Sequence, residues 1–405
     1  MFAFFISVIG IVITGGSLVN ESPLRDVFVY GTMGCLCISY FYFFCVRNRY
    51  LVLNSAEKSL FFFLVIALLH VLLSYLGVHQ KFSDLKVYFD KSFIPRQAFY
   101  LLLLPAIILF QDGFYTKGKE YIIKHYGEIF FWCLFLISFL SLNNSLYVTT
   151  QLILCWLALR IKSPQRWRNW LRYAALIFAP LPKDGTFSLL ILRFLFALFA
   201  VIPSGCKRVT LKWMTIALLI VIIAVSFIAP ILITNTSFIP DRNTRWRMNY
   251  WIDEMKNLGN TYGLGVGYGT SYPSIDFAAV TKDFYAKGQY SKVQRTFVLA
   301  SHNSFVSVAM RTGVFGVGAF LLFIILLLWE MLKYRFLPSS AAFFALFGAI
   351  TCIAFNVGLE SPNYLFSFIF CIGECNQEIH RIRKMSRVSE SVVQDHGLSP
   401  ILVEG

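Results

Sequence analysis

Apolar residues gather in twelve runs along the chain, at roughly 2–19, 27–46, 59–78, 97–111, 128–145, 147–160, 172–182, 187–203, 210–235, 304–332, 339–358 and 362–376. A helix needs about 20 mostly apolar residues to cross a hydrocarbon core of roughly 30 Å, and lipid leaves the backbone no other local way to satisfy its polar groups. The pattern predicts an all-α integral membrane protein of about twelve transmembrane helices. The runs at 147–160 and 172–182 are short, and each is either re-entrant or matched by local thinning of the bilayer. One long interruption divides the chain. Residues 1–235 hold about nine helices, 236–303 form a large loop, 304–376 hold about three more helices, and 377–405 make a tail. Beyond residue 385 that tail carries Ser, Glu, Gln and Gly and reads as solvated and disordered.

Basic residues fall in alternate connectors, which orients the helices, since short loops rich in Lys and Arg stay in the cytoplasm. One side collects Arg47 and Arg49, Lys117, Lys119 and Lys124, Arg160, Lys162, Arg166, Arg168 and Arg172, Lys207, Arg208 and Lys212, Lys333 and Arg335, and Arg381, Arg383, Lys384 and Arg387. The segment 79–96 is an exception, with Lys81, Lys86, Lys91 and Arg96 against Asp84 and Asp90 on the outer side. Both termini are expected in the cytoplasm of a bacterial inner-membrane protein, with the loop 236–303 outside, where its length exempts it from the charge rule. Met1 opens directly on an apolar run, without a basic region or a small-residue cleavage site, so this run reads as a helix and not a cleaved signal.

Composition agrees: 57% of the 405 residues are hydrophobic and 14% are charged. A net charge of +15 would suggest a nucleic-acid partner in a soluble protein, but here the cations mark membrane orientation and no nucleic acid is expected. The nine cysteines lie mostly in apolar runs and none falls between 234 and 303, so the outer loop has no disulfide. Cys371 and Cys375 share a helical face, a spacing that reads as packing in an apolar segment.

The candidate chemistry sits in the loop. It opens with Arg245, Trp246, Arg247, Tyr250 and Trp251, an interleaving of cations and aromatics. Guanidinium forks grip phosphate oxygens and aromatic faces stack on sugars, so the segment suits a ligand carrying both; the alternative is an interfacial belt of Trp, Tyr and Arg at headgroup depth. Gly263, Gly265, Gly267 and Gly269 follow in alternation, which permits either close backbone approach to a ligand or a plain turn. His302 and Asn303 close the loop just before a long apolar helix carrying Arg311, Gly313 and Gly316. A neutral imidazole there can deprotonate a hydroxyl, or it can be structural. Arg193 and Arg311 lie within apolar runs, where an unpaired cation costs at least about 2.5 kcal/mol, and so are expected to face a polar cavity. Lys183, Asp184 and Glu360, at outer helix ends, either line the same side or snorkel to the interface.

Two motifs then resemble the family of O-antigen polymerases and O-antigen ligases: Arg247 and Trp251 followed by Gly263, Gly265 and Gly267, and His302-Asn303 with Gly313 and Gly316 beyond. The motifs span about 75 residues, and the family shares the plan of about twelve helices with a large periplasmic loop late in the chain. The resemblance implies a GT-C-like membrane glycosyltransferase acting on undecaprenyl-diphosphate-linked oligosaccharides as donor and acceptor, with neither nucleotide sugar nor metal and no cofactor. It implies that Arg247, with Arg245, binds the donor diphosphate, that His302 activates the acceptor hydroxyl, and that Trp251, Gly265, Gly267, Asn303 and Arg311 belong to the same substrate site. Where the family often has a Ser-Arg-Gly-like motif, this chain reads Lys183-Asp184-Gly185-Thr186, which leaves the cation to Lys183 or Arg193. A modest loop and a short chain favour a polymerase of O-antigen or capsular polysaccharide over a ligase to lipid A-core. A chain-length-regulating copolymerase is the partner that the family implies. A polysaccharide flippase is the reading from another class, but no paired halves or interrupted midplane helices of the transporter kind occur in the sequence.

Overall fold

The computed structural model describes residues 53–79, 87, 89–103, 113–140, 144–161, 163–179, 186–201, 207–233, 235–271, 274–275, 277, 302–333, 340–355, 359 and 362–395. The predicted runs 2–19 and 27–46, together with Lys183, Asp184 and Glu360, lie outside them. Among the described residues the chain is helical, without a strand; a single isolated bridge joins Phe89 to Thr270.

Helix α1 (Ser55–Tyr75) starts at a capping box. The Asn54 side chain accepts the Glu57 N–H at 2.8 Å and the Glu57 carboxylate accepts the Asn54 N–H at 2.8 Å, satisfying two donors that a helix start leaves open. One-turn pieces occupy Lys91–Phe93, Ile94–Gln97 and Phe99–Leu102. Then come α2 (Gly113–Leu140), α3 (Asn144–Arg160), α4 (Arg166–Phe178) and α5 (Thr186–Val201). Helix α6 (Lys207–Ile223) passes through a π turn (Ala224–Ile228) into α7 (Ala229–Leu232). Helix α8 (Arg242–Asn260) stands in the loop, followed by α9 (Ser304–Lys333), α10 (Ser340–Phe355) and α11 (Pro362–Asp395).

Three helical stretches among the described residues are long and apolar enough to cross a membrane: Ser55–Tyr75, Lys212–Leu232 and Ser304–Lys333. Phe61, Phe62, Val65, Leu68, Leu69 and Leu72 of α1 are exposed, as are Leu322, Ile325 and Trp329 of α9. Lipid, not water, is the solvent such surfaces fit. The opposite faces pack together: Phe63 of α1 meets Phe320 of α9 with ring centroids 5.1 Å apart, and the Ser59 hydroxyl donates to the Ala319 carbonyl at 3.2 Å.

Helix α10 is buried on all sides, every described residue from Ala341 to Ala354 being enclosed by its neighbours. It packs against α3, α5 and α11. Phe343 and Phe344 pack against Phe199 of α5, and the Cys375 thiol of α11 donates to the Ala342 carbonyl at 3.0 Å, so Cys375 serves packing as its spacing suggested.

Two boundaries differ from the sequence expectation. Helix α2 begins about 15 residues before the apolar run at 128–145, and α11 continues to Asp395 where a disordered tail was expected. In both cases the extra length is polar, and charge pairs hold part of it. Lys119 of α2 reaches Glu374 of α11 at 2.5 Å, both side chains being buried, and also bonds Gln377. Arg160 pairs with Glu120, Arg172 with Glu128, and Arg383 with Glu330 at 2.8 Å. His380 of α11 lies 3.3 Å from Glu57, beside the start of α1. Helix starts and ends therefore segregate: one end of the bundle carries this ion-pair layer and the other carries the loop.

Candidate functional site

Helix α8 builds the first half of the site. Asp241 caps it by accepting the Thr244 N–H at 2.6 Å, which fixes where the helix begins and hence which residues share a face. Trp246, Tyr250 and Glu254 follow at four-residue spacing and are all buried. This face lies along the opening turns of α9. The Trp246 ring stacks on Tyr250 at 5.3 Å and meets the His302 imidazole edge-on at 5.7 Å. Eight residues further along α8, about 12 Å of helix, the Glu254 carboxylate faces the Arg311 guanidinium across the same interface. Arg247, one residue past Trp246, donates from Nη1 to the carbonyl of Phe355 at 3.3 Å, a cation set against the C-terminus of α10.

The glycine run locks α8 to α9. Inside α9, Gly313 takes φ 67°, ψ −170°, a left-handed break that frees carbonyls of the preceding turn. The Val266 N–H donates to the Met310 carbonyl at 2.7 Å and the Val314 N–H donates to the Gly263 carbonyl at 2.8 Å. A Cβ on Gly265 would stand 2.6 Å from the Gly313 nitrogen, and one on Gly313 would stand 2.4 Å from the Gly263 oxygen. The alternating glycines thus serve close approach, but to the chain's own kinked helix. Gly267 and the residues after it are held from three further directions. The Arg311 Nη1 donates to the carbonyls of Gly267 and Thr270 at 3.1 and 3.0 Å and to the Thr270 hydroxyl at 2.6 Å. The Tyr268 N–H donates to the Ser74 hydroxyl at 2.8 Å, and the Gly269 N–H donates to the Gln97 side chain at 2.7 Å. Arg311 does face a polar interior, as expected, and the loop's own carbonyls make it.

The second half is the junction before α9. His302 takes φ 52°, a left-handed backbone uncommon outside glycine. Asn303 is buried and caps α9, its Oδ1 accepting the N–H groups of Phe305 and Val306 at 3.0 and 3.2 Å, while its Nδ2 donates to the Ser226 hydroxyl at 2.9 Å. Ser226 lies in the π turn, so the widened turn of α6–α7 supplies the anchor for the start of α9. These bonds aim the His302 ring at Trp246 and toward Arg247. Burial first, and the Arg247 charge second, push the His302 imidazole down to about 3. The ring is neutral at physiological pH, and until that depression is relieved it is a weak proton acceptor.

Arg247, Trp246, Tyr250 and His302 therefore meet, with Gly265, Gly267 and Arg311 in the supporting layer beneath. Arg245 braces its own approach, donating from Nε and Nη2 to the Ile239 carbonyl at 2.8 and 2.5 Å. Trp251 is buried in the core of the loop helix. Arg193 stands apart from this group: its Nη1 bonds the Ala179 and Ile177 carbonyls at the end of α4. Glu254 and Ser226 escaped the sequence reading, and Tyr250 entered it only as one aromatic of the opening segment. Tyr250 and Glu254 form a four-residue repeat from Trp246, visible once that segment is read as a helix and not as a cation–aromatic cluster.

Residues 184–321, about a third of the chain, match a family model described as O-antigen ligase. The matched segment contains Arg193, Arg245, Arg247, Trp251, the glycine run, His302, Asn303 and Arg311, and begins one residue after Lys183. No curated protein matches the chain.

Proposed function

From its O-antigen ligase family segment, we propose that the chain is a membrane glycosyltransferase that polymerises undecaprenyl-diphosphate-linked oligosaccharide repeat units at the periplasmic face of the inner membrane. The observation that carries the reading is the meeting of Arg247 and His302 through Trp246, a cation suited to phosphate beside a neutral base. The acceptor hydroxyl attacks the anomeric carbon of the donor sugar and gives its proton to His302. The bond from that carbon to the diphosphate oxygen breaks, and the leaving undecaprenyl diphosphate takes the electron pair. Arg247, assisted by Arg245, offsets the charge gathering there, and Lys183 is the cation left to add from the membrane side, since Arg193 is held by the end of α4. Trp246, stacked on Tyr250, backs the His302 ring, and Trp251 holds the helix that carries them. Direct displacement inverts the anomeric centre.

Donor binding also tunes the base. The Arg247 charge depresses the imidazole, so a diphosphate that neutralises Arg247 relieves that depression and makes His302 more basic when the acceptor arrives. About twelve crossings with both termini in the cytoplasm complete the proposal. The alternating basic connectors and the ion-pair layer far along α1, α2, α9 and α11 from His302 support it.

The description of the matched family favours a second reading, a ligase that moves finished polysaccharide to lipid A-core through the same Arg247 and His302 chemistry. A strain lacking the protein separates the two. Single-repeat surface glycans are expected for a polymerase, whereas long chains accumulating on undecaprenyl diphosphate would establish the ligase. A copolymerase partner belongs to the first reading only.

A further inference from the structure

At the ion-paired end of the bundle, remote from His302, a cavity of about 620 Å³ opens between α2, α3 and α11. Arg160, Lys124 and Arg381 bring cations to its wall, and Glu120 and Glu378 bring carboxylates. Two of the cations are already matched: Arg160 pairs with Glu120, and Arg381 lies 3.7 Å from Glu378. Lys124 has no carboxylate partner among the described residues and its side chain is exposed, so three cations against two carboxylates leave the wall one positive charge in excess.

The cavity also stands at a fixed depth. The sequence of α2 changes character after Glu128, from Lys117–Glu128, rich in charge, to Ile129–Leu140, almost wholly apolar. That change marks the boundary between headgroups and acyl chains. Tyr121 and His125, whose rings lie 4.5 Å apart, line the cavity on the polar side of the boundary. Ile129 and Leu136 continue the same face at helical spacing on the apolar side, and both are more than 60% exposed. A polar cavity with surplus positive charge thus opens onto an apolar stripe that faces lipid.

We propose that this cavity binds the phosphate headgroup of an anionic membrane lipid, with Lys124 on the phosphate and the acyl chains along Ile129 and Leu136. The site is separate from the glycosyl-transfer site, and its occupation ties α2, α3 and α11 together at the membrane surface. Compact phosphate on a point-charge ammonium is the recognition that Lys supplies, while Arg160 and Arg381 keep their carboxylate partners and shape the wall.

The test uses the full chain, purified and stripped of lipid in a neutral detergent, with the thermal midpoint followed on adding phosphatidylglycerol, phosphatidylcholine or inorganic phosphate. Phosphatidylglycerol is expected to raise the midpoint by several degrees and phosphatidylcholine to have less than half that effect. Lys124→Glu should remove most of the difference, and the milder Lys124→Gln, at an exposed position, serves if the first variant folds poorly. Equal shifts from the two lipids, or an undiminished phosphatidylglycerol shift in both variants, would overturn the proposal. A full shift from inorganic phosphate at matched concentration would overturn the lipid as the ligand.

Discussion

At the residue scale the account rests on His302 and Arg247, whose roles separate experimentally. His302→Ala should lower transfer by about 10²–10⁴-fold, the usual worth of a positioned general base, with membrane insertion unchanged. Arg247→Gln should weaken donor binding, and the same change should raise the His302 titration above its value of about 3 in the free protein, because one of the two depressing causes is gone. A histidine NMR titration of the two proteins checks this, and an unmoved imidazole would count against the coupling. The depressed imidazole also has a stability consequence. A histidine held below its unfolded value of about 6.5 favours the folded state fully above that pH, and the contribution is lost as pH falls from there toward about 3. His302→Gln should therefore flatten part of the acid-side fall in thermal midpoint.

Both residues were legible from motif and position alone. Asn303 was legible as part of the motif, while its bonds to Ser226, Phe305 and Val306 give it the work of aiming its neighbour, which depends on a π turn some 75 residues earlier in the chain. Glu254 was not legible, because a carboxylate in a polar loop carries no signal until the buried Arg311 charge it answers is known.

At the element scale, the joint between α8 and α9 explains why glycines alternate. Gly313→Ala forces a side chain into a positive-φ extended backbone that essentially only glycine adopts, which costs about 1–3 kcal/mol, and drives its Cβ against the Gly263 carbonyl. The expected result is undocking of 263–270 from α9, read as faster hydrogen exchange across that segment and loss of activity, with the bundle helices still protected. The sequence suggested close backbone approach to a ligand, or a plain turn, whereas the glycines approach the kink of α9 at Gly313. Hydropathy also misplaced the ends of α2 and α11. It counts apolar residues, whereas the polar start of α2 is helical and Lys119 there is held by Glu374 and Gln377 of α11.

At the scale of the whole molecule, the bundle is closed at one end by charge and at the other by the loop. Lys119→Ala should strand the buried Glu374 and destabilise the protein by about 3–5 kcal/mol, whereas the double change Lys119→Met with Glu374→Leu should recover most of that loss in a thermal melt. Composition and the run pattern revealed the membrane class directly. They could not reveal that α10 would be enclosed on all sides, because an apolar run looks the same whether lipid or protein surrounds it. The interlocking of α8, the glycine run and α9 is the feature that turns two separate motifs into one site.

That site is tested most directly by incubating purified protein with undecaprenyl-diphosphate-linked repeat units and resolving the products by length. The account predicts a ladder of lengthened chains from the native protein and none above background from His302→Ala of the same fold. Undiminished polymerisation by His302→Ala, or no lengthening by the native protein where an established polymerase succeeds, would contradict it.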